Sequence, residues 1–80
     1  MTIHELDTIV LDRDLPETGL RKGDVGAVVH VYGPDHFDVE FVRASGRTQA
    51  VVELSRADVR SLEDSDVPAV RPLSSRRGAA

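Results

Sequence analysis

The sequence predicts an all-β fold of five short strands. Two observations carry this: Val, Thr and Ile recur in short alternating runs, and Gly, Pro, Asp and Ser clusters separate those runs. No segment shows a sustained helical period. At 80 residues the chain has room for one compact core and no deep cleft, because a domain of ~60 ordered residues buries only ~60% of its unfolded surface. Cysteine is absent, so packed aliphatic side chains must stabilise it without disulfides or thiolate metal sites.

The first strand is expected from Asp7 to Leu11. The polar stretch "DRDLPETGLRKG" follows as a long loop, whose Leu15 and Leu20 fold back to cap one end of the barrel. Strand two runs from Val25 to Tyr32, strand three from Phe37 to Arg43, and strand four from Arg47 to Leu54. In "SRAD", Ser55 stands where a single helical turn wants its N-cap, and Val59 to Leu62 form the last strand. Residues 63–80, "EDSDVPAVRPLSSRRGAA", hold two prolines and almost no bulky apolar side chains. They are expected to form a flexible, disordered tail beyond a domain of residues 1–62. The prolines of "VPAVRPL" are four apart rather than three, so this stretch does not carry a P-x-x-P ligand.

Register follows from the rule that paired residues share a face. Placing Val25, Ala27, Val29 and Val31 on the inner face of strand two requires a Gly33-Pro34-Asp35 loop, which pairs Val31 with Phe37, Val29 with Val39 and Ala27 with Phe41. A two-residue Ser45-Gly46 turn then sets Phe41 opposite Ala50, Val39 opposite Val52 and Phe37 opposite Leu54. Gly23 and Gly26 open a strand, whereas a phosphate-cradling loop opens a helix. Gly26 therefore reads as a bulge or a close crossing of strands.

"LDTIVLDRDLPETGLRKGDVGAVVHVY", followed by "FDVEFVRASGRTQAVVELSRADVRSL", resembles the small bacterial domain-of-unknown-function family 4926 over roughly residues 5 to 62. The shared features are a D-x-V-x-L-like start, a D-L-P turn, a G-x-x-G-x-V strand, an E-F strand and a closing L-x-x-x-x-[LV] segment. More loosely, the core is similar to SH3-like barrels such as the photosystem I E subunit, the variable chain of ferredoxin–thioredoxin reductase and the nitrile hydratase β subunit. The resemblance implies a small five-stranded SH3-like barrel that docks partners, and it brings no catalytic residues.

The charge balance excludes more than it suggests. Lys and Arg number 10 against 14 Asp and Glu, a net charge of −4, which opposes phosphate attraction. Tyr32 faces outward without a second aromatic to stack bases, so an RNA-binding barrel is only the alternative reading. No stretch is long enough to span a bilayer, and "MTIHELDTIV" lacks the basic and apolar regions of a signal peptide. A cytoplasmic protein is expected.

Candidate chemistry lies on the outer face. His30, Asp38 and Glu53 form one polar row across strands two to four. Such a row offers imidazole and carboxylates to a divalent metal, but an open sheet face supplies no closed shell, and it reads as a solvated row. His4 and His36 lack metal-type spacing, Asp7, Asp12 and Asp14 break the calcium-loop pattern, and the serines have no fixed base. No catalytic residue, metal or cofactor is assigned. The same register exposes Val28, Val42 and Val51 around Glu40, with Gln49 beside them and Tyr32 further along. A contiguous apolar patch with a polar rim is the pattern of an interaction surface. The expected function is a non-enzymatic protein-interaction module, such as an accessory or antitoxin-like partner of a neighbouring protein, that binds another protein or a second copy of itself.

Overall fold

The computed structural model describes residues 2–73. Five strands, β1 (Thr8–Leu11), β2 (Val25–Val31), β3 (His36–Val42), β4 (Thr48–Ser55) and β5 (Val59–Ser61), form one antiparallel sheet in the order β4-β3-β2-β1-β5. The chain runs as a meander from β1 to β4 and returns β5 to pair with β1. The edges are therefore β4 and β5. One core cluster draws on every strand, with Ile9 and Leu11 from β1, Val28 from β2, Phe37, Val39 and Phe41 from β3, Leu54 from β4 and Val59 from β5.

The long β1–β2 loop closes one end of this core as expected. Leu15 and Leu20 pair with each other and are both buried in the cluster. Between them Pro16 opens the 3-10 turn Pro16–Thr18, and Gly19 ends it at a φ of 77° that a side chain would oppose. The second 3-10 turn, Arg56–Asp58, links β4 to β5. The Ser55 N–H donates to Asp58 at 2.9 Å and the Ser55 hydroxyl at 3.2 Å, which pins the turn at the position the sequence marks for a cap.

The β3–β4 register agrees with the sequence reading, Phe37 opposite Leu54, Val39 opposite Val52 and Phe41 opposite Ala50. The turn itself is longer than expected. The Arg43 N–H donates to the Arg47 carbonyl at 2.8 Å and the Gly46 N–H to the Arg43 carbonyl at 2.8 Å, which leaves Ala44, Ser45 and Gly46 in the loop. The register shifts between Phe41 and Val42, and Gln49 on β4 is the bulged residue that absorbs the extra turn residue.

Strand β2 departs from the expected phase. Val31 pairs with Phe37 as predicted, but Val28, not Val29, pairs with Val39, and Ala27 meets Glu40 rather than Phe41. The extra residue, Val29, bulges between Val28 and His30 and is exposed. Gly26 and Val28 therefore face the core while Val25 and Ala27 face out. Crowding explains the choice: a Cβ on Gly26 would come within 2.6 Å of Val39 Cγ1 and 2.8 Å of Phe41 Cε2. Gly26 is thus a site of close approach, and the bulge lies three residues later.

Beyond Ser61 the described chain is irregular in backbone, but it is not free of contacts. Arg60 grips Asp66 with two guanidinium hydrogen bonds of 2.8 and 3.0 Å, and the Glu63 N–H donates to the same carboxylate at 2.7 Å. Arg71 then reaches Asp24. Residues 63–73 form a strap with two anchors, and the rest of the expected tail, residues 74–80, lies outside the described residues.

Candidate functional site

The polar row forms as the sequence predicts, with His30 opposite Asp38 and Asp38 opposite Glu53. Asp38 and His30 have partners outside the row. The Tyr32 hydroxyl donates to Asp38 at 2.7 Å, and the Tyr32 ring meets the His30 ring edge-on at 4.5 Å. Its hydrogen bond to Asp38 keeps the Tyr32 phenol protonated above its ordinary range, and desolvation and the neighbouring Asp38 and Glu53 charges push the same way. His30 Nδ1 stands 3.9 Å from Glu5. Among the described residues no three His, Cys, Asp or Glu side chains are grouped to hold a metal ion.

The apolar patch is smaller than expected. Val28 is 0% exposed and leaves it, because the Val29 bulge sets the preceding part of β2 in the opposite phase. Val42 and Val51 remain, 52% and 56% exposed, on either side of a half-buried Glu40 that lies opposite Val51. The Thr48 hydroxyl donates to Glu40 at 2.5 Å, so the carboxylate is held down along the sheet. Gln49 is half-buried and tied at both ends. Its carbonyl accepts from Arg43 Nε at 2.8 Å, and its amide donates to the Thr18 carbonyl at 2.9 Å, joining the β3–β4 turn to the first loop. Tyr32 is exposed but belongs to the polar row.

A second feature was missed from the sequence. Val10 alternates with Ile9 and Leu11 of the core cluster and so faces outward, yet it is only 3% exposed. It lies opposite Arg60 on β5 and Val25 on β2. Arg60 holds Asp66, and Asp24, next to Val25, holds Arg71, so one anchor of the strap lies on each side of Val10. Between the strap, Val25 and the β3–β4 turn lies a groove of about 450 Å³, lined by Val25, Val42, Ala69, Val70 and Leu73 among others. Burial pushes the Asp24 carboxyl up, but the Arg71 guanidinium and the Arg21 N–H outweigh it and hold the carboxyl below its ordinary value. Low apolar content and two prolines hid the strap; its signal was the spacing of charges, with Asp66 six residues after Arg60.

Taken together, the fold and surface define a small all-β domain with an open apolar patch on one hairpin and a groove closed by its own C-terminal strap. The chain belongs to the family described as Domain of unknown function (DUF4926), which it matches over residues 5–61. That stretch includes all five strands and stops short of the strap. No curated protein and no solved structure matches the chain. Among the described residues no helix is long and apolar enough to cross a membrane.

Proposed function

We propose that this chain is a non-enzymatic protein-interaction module of the bacterial cytoplasm, an accessory or antitoxin-like partner of a neighbouring protein, with its sheet curled as a partly open SH3-like barrel. The observation that carries the reading is the pair of exposed valines, Val42 and Val51, flanking a restrained Glu40 on a hairpin whose β4 is a sheet edge. Isolated exposed valines carry no meaning. Two on neighbouring strands, beside an unpaired edge, give a partner both apolar area and backbone groups to bind. The barrel reading draws on the return of β5 to β1 and on the single core cluster shared by all strands.

The test is capture from a lysate of the source organism, quantified by mass spectrometry. Wild type should enrich a partner or itself, and Val51→Lys should lose that enrichment while melting within a few degrees of wild type. Equal capture by Val51→Lys and wild type overturns the reading.

A further inference from the structure

We propose that the domain surface beneath the strap, from Gly19 and Asp24 to Val25 and Val42, is a binding site for an extended, arginine-bearing segment of a partner protein, and that residues 67–73 occupy it in cis. The inference rests on the interaction-module reading and names the ligand chemistry of a second surface. Arg71 sits in a built acceptor site. Its Nε donates to Asp24 Oδ1 at 2.9 Å, and its Nη2 donates to Asp24 Oδ2 at 2.5 Å and to the Gly19 carbonyl at 3.0 Å. This two-pronged carboxylate contact suits a guanidinium and not an ammonium.

The acceptors are held without help from Arg71. The Arg21 N–H donates to Asp24 Oδ2 at 2.8 Å, the Asp24 N–H donates to the Arg21 carbonyl at 2.9 Å, and left-handed Gly19 presents its carbonyl. Asp14 adds negative charge toward Arg71 and is itself fixed by the Lys22 N–H at 2.9 Å. Every acceptor lies within the stretch that matches the family, and the arginine lies beyond it. The domain owns the site, and the strap supplies the ligand.

The strap fills this site poorly. Val67 and Val70 stay exposed, and a groove is left open between the strap on one side and Val25 and Val42 on the other. A segment that offers arginine together with an apolar side chain packed directly on Val25 and Val42 therefore displaces the strap. In this arrangement the strap is an internal competitor that sets how strongly a partner must bind.

The probe is a capped heptapeptide, Val-Pro-Ala-Val-Arg-Pro-Leu, titrated into full-length protein and followed by amide chemical shifts. Arg71→Ala frees the acceptor site, so the peptide should bind that chain at least tenfold more tightly than wild type, with shifts at Gly19, Asp24 and Val25. A peptide with lysine in place of arginine should bind Arg71→Ala at least fivefold more weakly, a comparison that leaves the protein unchanged. Adding Asp24→Asn to Arg71→Ala should abolish binding. Equal affinity of wild type and Arg71→Ala, or equal affinity of the two peptides, overturns the proposal. A wild-type dimer that disappears in Arg71→Ala also overturns it, in favour of strap exchange between two copies. Val51 does not line the groove, so Val51→Lys tests the patch and leaves peptide binding unchanged. The two readings can thus fail separately.

Discussion

Two residues show opposite uses of backbone freedom. Gly26 has an ordinary φ, so its constraint is space, with Val39 and Phe41 packed where a side chain would stand. Gly26→Ala should destabilise the fold by about 1–3 kcal/mol, the usual cost of overpacking, and lower Tm by roughly 4 °C or more. An unchanged thermal transition would mean that the core yields there. Leu6 is the reverse case, a non-glycine residue at φ 75° in the turn closed by the Asp7 N–H donating to the His4 carbonyl at 3.1 Å. Its side chain is 83% exposed, so almost no burial compensates a left-handed conformation that costs about 1–2 kcal/mol. The turn is retained because the Leu6 N–H reaches the Val28 carbonyl at 2.7 Å. Leu6→Gly should raise stability by up to about 1 kcal/mol after the entropy cost of glycine, seen as a higher Tm. A lower Tm would show that the leucine side chain contributes contacts.

At the scale of elements, legibility depended on whether a strand offers one plausible apolar face or two. In β3 the residues between Phe37, Val39 and Phe41 are Asp38 and Glu40, so only one phase was possible, and β4 had to match it with Leu54, Val52 and Ala50. In β2 the run Val25-Gly26-Ala27-Val28-Val29 is apolar in both phases. The decision fell to the space beside Phe41, which only a tertiary arrangement reveals. The patch lost Val28 for this reason, whereas the row of His30, Asp38 and Glu53, beyond the bulge, was read correctly. The link between β4 and β5 was legible from Ser55, but its long-range anchor was not: Arg13 Nε donates to Asp58 at 2.7 Å from the first loop. Burial raises the Asp58 carboxyl, and the Ser55 and Arg13 donors more than offset that, leaving it below its ordinary value. A lowered folded pKa means that the stabilisation is present above the unfolded value of ~3.9 and is lost as pH falls through the folded one. Asp58→Asn should therefore cost about 1 kcal/mol at pH 7, with a Tm gap to wild type that closes below about pH 4. A gap that persists in acid would assign the effect to packing instead.

For the whole molecule the question is how far the strap contributes to the fold it crosses. No residue beyond Val59 belongs to the core cluster, and all five strands end by Ser61. The strap adds the Arg60–Asp66 and Arg71–Asp24 pairs, one on each side of the buried Val10. Both pairs are reached by solvent, which screens them, so neither adds much to stability. Ordering the backbone of residues 63–73 costs conformational entropy that opposes these contacts, so docking the strap leaves little net stability. A chain ending at Leu62 should keep the five-stranded sheet and melt within about 4 °C of the full chain, corresponding to less than ~1 kcal/mol for a domain of this size. The surface should change more than the stability. Val10 becomes exposed next to Val25, so the shortened chain should bind a hydrophobic dye more strongly and self-associate more readily. Acid should mimic the deletion in part, because Arg60 and the Glu63 N–H hold Asp66, like Asp24, below its ordinary value, and both anchors weaken once those carboxylates are protonated below about pH 4. Hydrogen exchange should then quicken in residues 63–73 before it does in the strands. If Tm instead falls by more than about 10 °C in the shortened chain, the strap is a structural part of the domain and not a displaceable cover.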